Sequence, residues 1–468
     1  MLIEPILEEF MNQRFKSVVV TGIVAGFFAM VSCVGVASAV PVDPPVKTCL
    51  DKLIGSKATN ALIKAKKLSK AQTAQVSKCK KSASTSTASP AGGSAAGSTS
   101  GSTSSMVALN YVLLSTVTSQ QSGLGNVSDP ALLQVGNKLR MFFKNGNEPQ
   151  IGLSGFDNKI HSYVSSDNGK TWVLESGIKI DAGSPVSVQA ASTGGYEAWG
   201  WVLSPNADKM TKFTSSDGET FTAGSGLIPV LNSCKNVNGV STTKFGDFQV
   251  VKLLNGTFLA FAQNSNETPP YMRHACGFTS PDGVTWTLDA AKTVALQYDI
   301  QSNPETYRNA SGVIEQIFPV FRLDPSTNLA TGLQFRTSTN EGVSWSDFSE
   351  LSFFAADPDR LDLSNGDSLL AFGGFDHGQG GLLAVAKKSA TNYKASRTEN
   401  FFEWITWTIS GASQSDIKIK NLCTNKDLTS SVKFSTSGSN ISAAYTAPAG
   451  GKGNSCVYAL IGPEQALK

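Results

Sequence analysis

Residues 165–172 read SSDNGKTW, and this pattern decides the fold because it returns along the chain. Copies shortened by one residue occur at 215–221 (SSDGETF) and 280–286 (SPDGVTW), and a fourth copy at 338–345 (STNEGVSW) carries Asn340 in place of Asp. The acidic or amide positions of the four copies are 50 to 65 residues apart, which suits one four-stranded blade of a β-propeller per copy. A degenerate fifth copy, SRTENFFEW, ends at Trp404.

The residue types of this turn motif indicate a structural role. Asp or Asn accepts hydrogen bonds from the amides of its own turn, and Gly adopts the positive φ that the turn needs. The final aromatic ring packs beneath the turn. The positions with these roles are Asp167, Trp172, Asp217, Phe221, Asp282, Trp286, Asn340 and Trp345. The motif therefore predicts a propeller and carries no catalytic role itself.

Apolar hairpins alternate with the turn motif. Each reads as an apolar strand, a Gly turn and a second apolar strand, and they occupy residues 129–143, 247–261 and 357–372. Weaker counterparts begin near Ser184, Glu315 and Thr429. Six such starts predict an all-β, six-bladed propeller over residues 106–468, with about 60 residues per blade.

Ring closure needs one more strand, because no turn motif follows Tyr445 in the last of the six blades. Residues 107–117 (VALNYVLLSTV) have the alternation of a strand. We expect this strand to complete the sixth blade and to leave few exposed sheet edges.

The N-terminal residues 1–39 have the order of a secretory signal. Arg14 and Lys16 precede an apolar run from Val18 to Val36, which ends in Ala37-Ser38-Ala39. The alternative is an uncleaved anchor, since the run is almost long enough to span a bilayer. Both interpretations predict a secreted, periplasmic or cell-surface protein, with a membrane as partner only if the segment stays uncleaved.

Two small units follow the signal. Residues 40–81 contain helical apolar spacing and, from Lys47 to Lys81, ten Lys and one acid, a net charge of 10 − 1 = +9. We predict a helical hairpin stapled by a disulfide, whose lysines either hold anionic envelope polymers or form a solvated face. Residues 82–105 are nearly all Ser, Thr, Ala and Gly, which predicts a flexible linker.

The cysteines fall into three local pairs once Cys33 is set aside with the signal. An even number of cysteines in an exported chain is typical of disulfides, although six cysteines permit 15 connectivities. The predicted pairs are Cys49–Cys79, Cys234–Cys276 and Cys423–Cys456. A metal site is the poorer interpretation, because CxxC and HxxxH spacings are absent from the sequence. We expect neither a metal nor another cofactor.

Charge excludes a nucleic-acid-binding body. From Ser82 onward the sequence holds 27 basic and 31 acidic residues, a net charge of 27 − 31 = −4. Phosphates require clustered positive charge, which this part of the chain does not supply.

The repeated turn motif and the hairpins resemble the Asp boxes (BNR repeats) and blades of the sialidase, or neuraminidase, superfamily of six-bladed propellers. The resemblance covers about three quarters of the chain. It implies a fold more than an activity, because Asp boxes also occur in non-catalytic propellers and in other glycosidases. The resemblance further implies that a sialidase would bind the substrate carboxylate with three arginines. At the matching positions this chain has Ser128 for the first arginine and Gln263 for the second. The family's tyrosine nucleophile has the candidates Tyr298 and Tyr307.

Inner-strand starts line the central funnel of a propeller, so the residues there are the candidate site. The catalytic candidates are Asp129, Asp247, Asp357, Glu315 and Tyr307, and the candidate ligand-binding residues are Arg360, Arg322, Arg273 and Trp199. A ring of carboxylates can supply the acid and base of a glycosidase. The alternatives are that the aspartates cap the strands or bind a cation, and that the arginines form structural ion pairs.

Two functions stay open at this point. One is an exported propeller that recognises a glycan or an envelope polymer at its funnel without sialidase activity. The other is a glycoside hydrolase that uses the funnel carboxylates on an atypical or neutral glycan.

Overall fold

The computed structural model describes residues 110–146, 156–202, 209–224, 226, 228–229, 245–264, 274–295, 305–320, 332–351, 353, 355–374, 381–400, 404–448 and 456–468. The predicted signal, the basic hairpin with Cys49 and Cys79, and the linker lie outside these residues. Within them no helix is long and apolar enough to cross a membrane. Nearly all of the regular structure is β, as the sequence predicts, and the α-helix that is described there, α1 (Ser119–Ser122), is a single turn.

Five antiparallel sheets form the first part of the body, and four of them are built from consecutive strands. Their strands are β1 (Asn110–Thr118), β2 (Asn126–Val135), β3 (Lys138–Gly146), β4 (Ile160–Ser165), β5 (Val173–Leu174), β6 (Gly183–Ala190), β7 (Tyr196–Trp201), β8 (Lys209–Ser215), β9 (Thr222–Ala223), β10 (Ile228–Pro229), β11 (Phe245–Lys252), β12 (Phe258–Asn264), β13 (His274–Ser280), β14 (Thr287–Leu288), β15 (Val294–Ala295), β16 (Glu305–Arg308), β17 (Ile314–Val320), β18 (Gly332–Ser338), β19 (Ser349–Leu351), β20 (Ala356–Asp362), β21 (Ser368–Gly374) and β22 (Leu382–Ser389). Four of the sheets are β2–β5, β6–β10, β11–β15 and β16–β19. The fifth, β20–β22 with β1, continues through one strand pair, Val112 opposite Ala466, into four further strands near the C-terminus.

The five sheets form a closed ring. Their first strands contact one another in the order β2, β6, β11, β16 and β20, and β20 returns to β2. A buried apolar cluster lies between every two neighbouring sheets, including the last and the first. The described body is therefore a five-bladed β-propeller, and the prediction of six blades is wrong.

Strand β1 closes the ring in a different blade from the predicted one. It pairs along its whole length with β22, from Asn110 opposite Ser389 to Thr118 opposite Leu382. It thus supplies the fourth strand of blade five. This explains why blade five has no turn motif: the motif connects the third and fourth strands of a blade, and here those strands come from distant parts of the sequence.

The last predicted blade is half of a β-sandwich. One sheet contains β23 (Lys394–Asn400), β24 (Trp404–Ser410), β27 (Lys433–Ser437) and β28 (Asn440–Thr446), and the other contains β25 (Ile417–Asn421), β26 (Lys426–Asp427), β29 (Val457–Ile461) and β30 (Ala466–Leu467). Alternate residues of β24, β25, β28 and β29 form one buried cluster between the sheets. Two 3-10 turns, Gln414–Asp416 and Thr429–Ser431, connect strands. The degenerate fifth motif falls on β23 and the start of β24, so it is not a turn motif.

Disulfides staple both parts of the body. The predicted bond between Cys423 and Cys456 is present in the sandwich. Cys276 in β13 is disulfide-bonded as well. Its predicted partner, Cys234, lies outside the described residues.

The four turn motifs have the predicted hydrogen bonds. In blade three, Asp282 Oδ1 accepts from the amides of Val284 (2.8 Å) and Thr285 (2.7 Å), and these bonds lower the pKa of Asp282 to about 2. Asn340 replaces Asp in blade four and still accepts from the Ser344 amide at 2.9 Å. All four glycines have positive φ: Gly169, Gly218, Gly283 and Gly342.

Each motif also docks on the preceding blade. The carbonyl of Gly283 in blade three accepts a hydrogen bond from the Trp199 indole of blade two at 2.7 Å. Ser115 of blade five donates to the Gly169 carbonyl of blade one, and Lys292 of blade three donates to the Glu341 carbonyl of blade four. The motif aromatics share this location, since Phe221 packs on Phe142 and Trp345 on Phe261. The motifs therefore hold the ring together as well as their own hairpins.

We expect Asp282→Ala to lower the free energy of unfolding by about 1–2 kcal/mol, because several hydrogen bonds of one turn are lost at an exposed site. Asp282→Asn is the matched control, since blade four already uses Asn340 in this role. Its effect should stay within about 0.5 kcal/mol. Urea titration of both variants tests this, and equal losses would show that the carboxylate charge, not the acceptor geometry, stabilises the turn.

Candidate functional site

The inner strands begin at one end of the ring, which we call the mouth, lined by the first residues of β2, β6, β11, β16 and β20. The turn motifs lie at the other end, since they follow third strands, which run in the same direction as first strands. Four of the five inner strands are irregular near the mouth. Their registers shift between Ser128 and Ala131, Gly183 and Ser187, Gly246 and Phe248, and Ala356 and Asp359. Such bulges re-aim side chains and are frequent beside functional sites.

Asp129 and Asp357 lie in two of these bulges, on neighbouring inner strands. Both have positive φ, 52° and 45°, and both precede proline, a position that normally favours extended backbone. A non-glycine residue with such a backbone costs on the order of 1–3 kcal/mol and persists only where the surroundings impose it. Both residues are half-buried, and Ser128 Oγ donates to Asp129 Oδ2 at 2.8 Å. The structure thus places the two predicted aspartates equivalently, at the mouth.

Asp247 lies at the corresponding bulge of β11, between Gly246 and Phe248. Its side chain is outside the described part of the structure, so its predicted catalytic role stays a prediction. The Gln263 side chain lies outside that part as well, and Arg273, Arg322 and Tyr298 are outside it altogether.

The structure adds a carboxyl pair that the sequence analysis missed. Asp359, two residues after Asp357, hydrogen-bonds the Glu305 side chain of the neighbouring inner strand and accepts from the Leu132 amide of blade one. Two carboxyl groups bond in this way only when one holds a proton. Although part of the residue stays exposed, burial of the carboxyl group raises the pKa of Asp359 to about 7, while these hydrogen bonds act in the opposite direction.

This pair predicts a pH-dependent stability. The raised pKa means that the folded protein prefers one proton shared by Asp359 and Glu305, so the contribution of the pair to stability is largest near pH 4 and falls as the pH rises to about 7. Asp359→Asn imitates the protonated acid at every pH. We expect the difference in unfolding free energy between this variant and wild type to grow by on the order of 2 kcal/mol from pH 5 to pH 8, in favour of the variant. Urea unfolding at both pH values tests this, and parallel pH slopes for the two proteins would contradict it.

Glu315, Tyr307 and Arg360 come together, but away from the mouth. Glu315 Oε2 accepts from the Tyr307 hydroxyl and from Arg360 Nη1, and Asn309 donates to Glu315 Oε1 at 2.6 Å. All three predicted residues are at least nine-tenths buried, in the interface between blades four and five. Arg360 also stacks on the Tyr307 ring, 4.7 Å from its centroid, and bonds Ser368. The arrangement is that of a structural network.

A tyrosine nucleophile needs a phenol that ionises readily, and Tyr307 shows the opposite property. Burial raises the pKa of Tyr307 well above its usual value, while the positive charge of Arg360 lowers it and the negative charge of Glu315 raises it. A hydroxyl that donates to a carboxylate inside an apolar interface keeps its proton. The predictions that Tyr307 and Glu315 line the funnel are not supported by their positions.

The remaining described candidates are structural too. Trp199, one of the candidate ligand-binding residues, is fully buried between blades two and three. Every arginine that the structure describes contacts another polar side chain: Arg140 binds Glu175, Arg308 binds Glu341, Arg336 binds Gln316, Arg360 binds Glu315 and Arg397 binds Glu399. No three His, Cys, Asp or Glu of the described ranges are grouped so that they would hold a metal ion.

Comparisons with known proteins give distant likenesses. No family model and no curated protein matches the sequence. Among solved structures, a glycoside hydrolase is similar with 14% identity and a TM-score of 0.45, over 62% of this chain and 94% of that one. An endo-1,4-beta-xylanase from Bacteroides thetaiotaomicron has 13% identity and a TM-score of 0.40, over 57% and 96%. A protein of unknown function from Dyadobacter fermentans has 13% identity and a TM-score of 0.39, over 72% and 98%. These likenesses are too distant to transfer an activity.

Proposed function

We propose that this protein recognises a neutral glycan at the mouth of its propeller, with Asp129 and Asp357 as hydrogen-bond acceptors for sugar hydroxyls. The observation that carries the proposal is the pair of strained Asp-Pro bulges on neighbouring inner strands. Strained backbone retained at equivalent positions is a feature of ligand sites. An ionised carboxylate accepts several hydrogen bonds at once and so suits adjacent hydroxyl groups.

A neutral ligand fits the charges at the mouth better than an acidic one. Asp129 and Asp357 are acidic, and the described arginines are already paired with other side chains. Lys144, which lies opposite Ser128 in the adjacent strand, is buried. Among the described residues, a sialic acid would therefore meet carboxylates without the guanidinium fork that normally binds its own carboxylate.

Glycoside hydrolysis is the second candidate, and the Asp359–Glu305 pair favours it. Glycosidases combine a protonated carboxyl group with an ionised one, and different environments keep the two in different states. Burial raises the pKa of Asp359 to about 7, so the Asp359–Glu305 pair keeps a shared proton up to near-neutral pH, two residues along the strand from half-buried Asp357. The pair therefore has the proton affinity that an acid catalyst at the mouth requires.

The test is binding of the full-length protein to an array of neutral and sialylated glycans, together with turnover of a matching set of aryl glycosides. Asp129→Asn and Asp357→Asn should each weaken glycan binding at least about tenfold, as expected for a hydrogen bond to a charged group. Asp427→Asn, in the exposed part of the sandwich, is the control and should bind like wild type. Absence of any glycan binding would overturn the proposal, and preference for sialylated glycans would overturn the neutral ligand.

A further inference from the structure

Phe156 is an exposed aromatic residue near the mouth. Among the described residues it is the one aromatic side chain in the group of exposed large hydrophobic residues, with 42% of its surface exposed. A single exposed apolar side chain is ordinary on a protein surface. Two features distinguish Phe156: it lies at the rim of the mouth, and hydrogen bonds fix the backbone beside it.

The location is the rim of the mouth at blade one. A Cβ placed on Gly125, the residue before β2, would lie 2.7 Å from the Cβ of Phe156. The Gly125 amide also donates to Asn145 Oδ1 at 2.8 Å, which fixes this approach to β2. Asp129 follows four residues later, roughly 13 Å along an extended strand. Phe156 thus lies beside the strand that leads to the proposed glycan site.

The side chain of the neighbouring residue, Asp157, forms the hydrogen bonds that fix this backbone. Asp157 Oδ1 accepts from the Lys159 amide at 3.0 Å and from Asn145 Nδ2 at 3.2 Å, and its Oδ2 bonds His161 Nε2 at 2.9 Å. His161 is nine-tenths buried. The backbone beside Phe156 is therefore held by the rigid strands β3 and β4, while the ring itself faces solvent.

We propose that Phe156 is a stacking platform for a second sugar unit of the glycan whose first unit binds at Asp129 and Asp357. This inference rests on the proposed function. The face of an aromatic ring presents apolar surface that matches the C–H face of a sugar ring, and a fixed backbone reduces the entropy lost on binding. A ligand that reaches from Asp129 to Phe156 must be longer than one sugar, so the substrate class is a neutral oligosaccharide or polysaccharide.

The experiment compares Phe156→Ala, Phe156→Trp and wild type by calorimetric titration with neutral hexasaccharides and with the corresponding monosaccharides. Phe156→Ala should weaken hexasaccharide binding about three- to tenfold and leave monosaccharide binding unchanged, and Phe156→Trp should restore hexasaccharide binding. Leu254→Ala is the matched control, because Leu254 is 76% exposed in the β11–β12 hairpin at the opposite end of the ring.

The outcomes separate this inference from the proposed function. If Asp129→Asn loses the hexasaccharide while Phe156→Ala binds it like wild type, the platform is overturned and the glycan site stands. Equal losses in Phe156→Ala and Leu254→Ala also overturn the platform, since they would reflect general surface effects. If wild type binds the monosaccharides but no hexasaccharide, the platform alone is overturned. If wild type binds neither, both proposals are overturned.

Discussion

Glu315→Ala is expected to destabilise the protein by about 3–5 kcal/mol, the largest effect that we predict for a polar side chain of the propeller. Glu315 binds Arg360 and the Tyr307 hydroxyl inside the interface of blades four and five. Its removal leaves a buried guanidinium without its nearest carboxylate partner. Urea unfolding followed by tryptophan fluorescence measures the loss.

Two further variants separate this structural role from the catalytic role that the sequence suggests for Glu315. Glu315→Gln keeps an oxygen acceptor for Arg360 and should lose less stability than Glu315→Ala. Tyr307→Phe removes one hydrogen bond and should cost on the order of 1–2 kcal/mol. Neither change should alter glycan binding in the fraction that folds. A Glu315→Gln variant of wild-type stability that has lost ligand binding would instead assign Glu315 to the site.

The strand content and the propeller were predictable from the sequence because the turn motif is local. Asp282, Gly283 and the aromatic Trp286 act within seven consecutive residues, so their spacing alone specifies the turn. The number of blades was not predictable in this way. The β-sandwich uses the same alternation of apolar residues as a blade, as β24 shows with Ile405, Trp407 and Ile409 buried. Alternation indicates that one face of a strand is buried, but it does not indicate which element packs on that face.

The candidate site was partly predictable, because two of its residues belong to a repeated hairpin. Asp129 and Asp357 stand at matching positions of two similar hairpins, so repeat comparison identifies them, and the structure gives both the same unusual backbone. The Asp359–Glu305 pair is different, because it forms between blades five and four and depends on ring closure. The one signal in the sequence was that Asp359 follows Asp357 at the two-residue period of a strand. Glu315 was misplaced because it belongs to a second strand, β17, and not to an inner strand.

Gly283→Ala should destabilise the protein by about 3 kcal/mol or more, since two separate costs add at this position. Gly283 has a φ of +76°, where an alanine costs roughly 1–2 kcal/mol. Its added Cβ would also lie 2.8 Å from Cζ2 of Trp199, closer than carbon atoms approach. Trp199 is fully buried, packs edge-on against Phe258 and donates to the Gly283 carbonyl, so its ring has no room to retreat.

Gly256→Ala is the matched control for this prediction. Gly256 lies in the β11–β12 hairpin turn of the same blade and has a φ of +85°, with nothing within 4 Å of an added Cβ. Gly256→Ala should therefore lose only the free energy that an alanine at positive φ costs, roughly 1–2 kcal/mol. The difference between the two variants in urea unfolding measures the contact between the turn motif of blade three and Trp199 of blade two. If the two glycines gave equal losses, the motif would stabilise only its own turn, and the docking of each blade on its predecessor would not contribute to the closure of the ring.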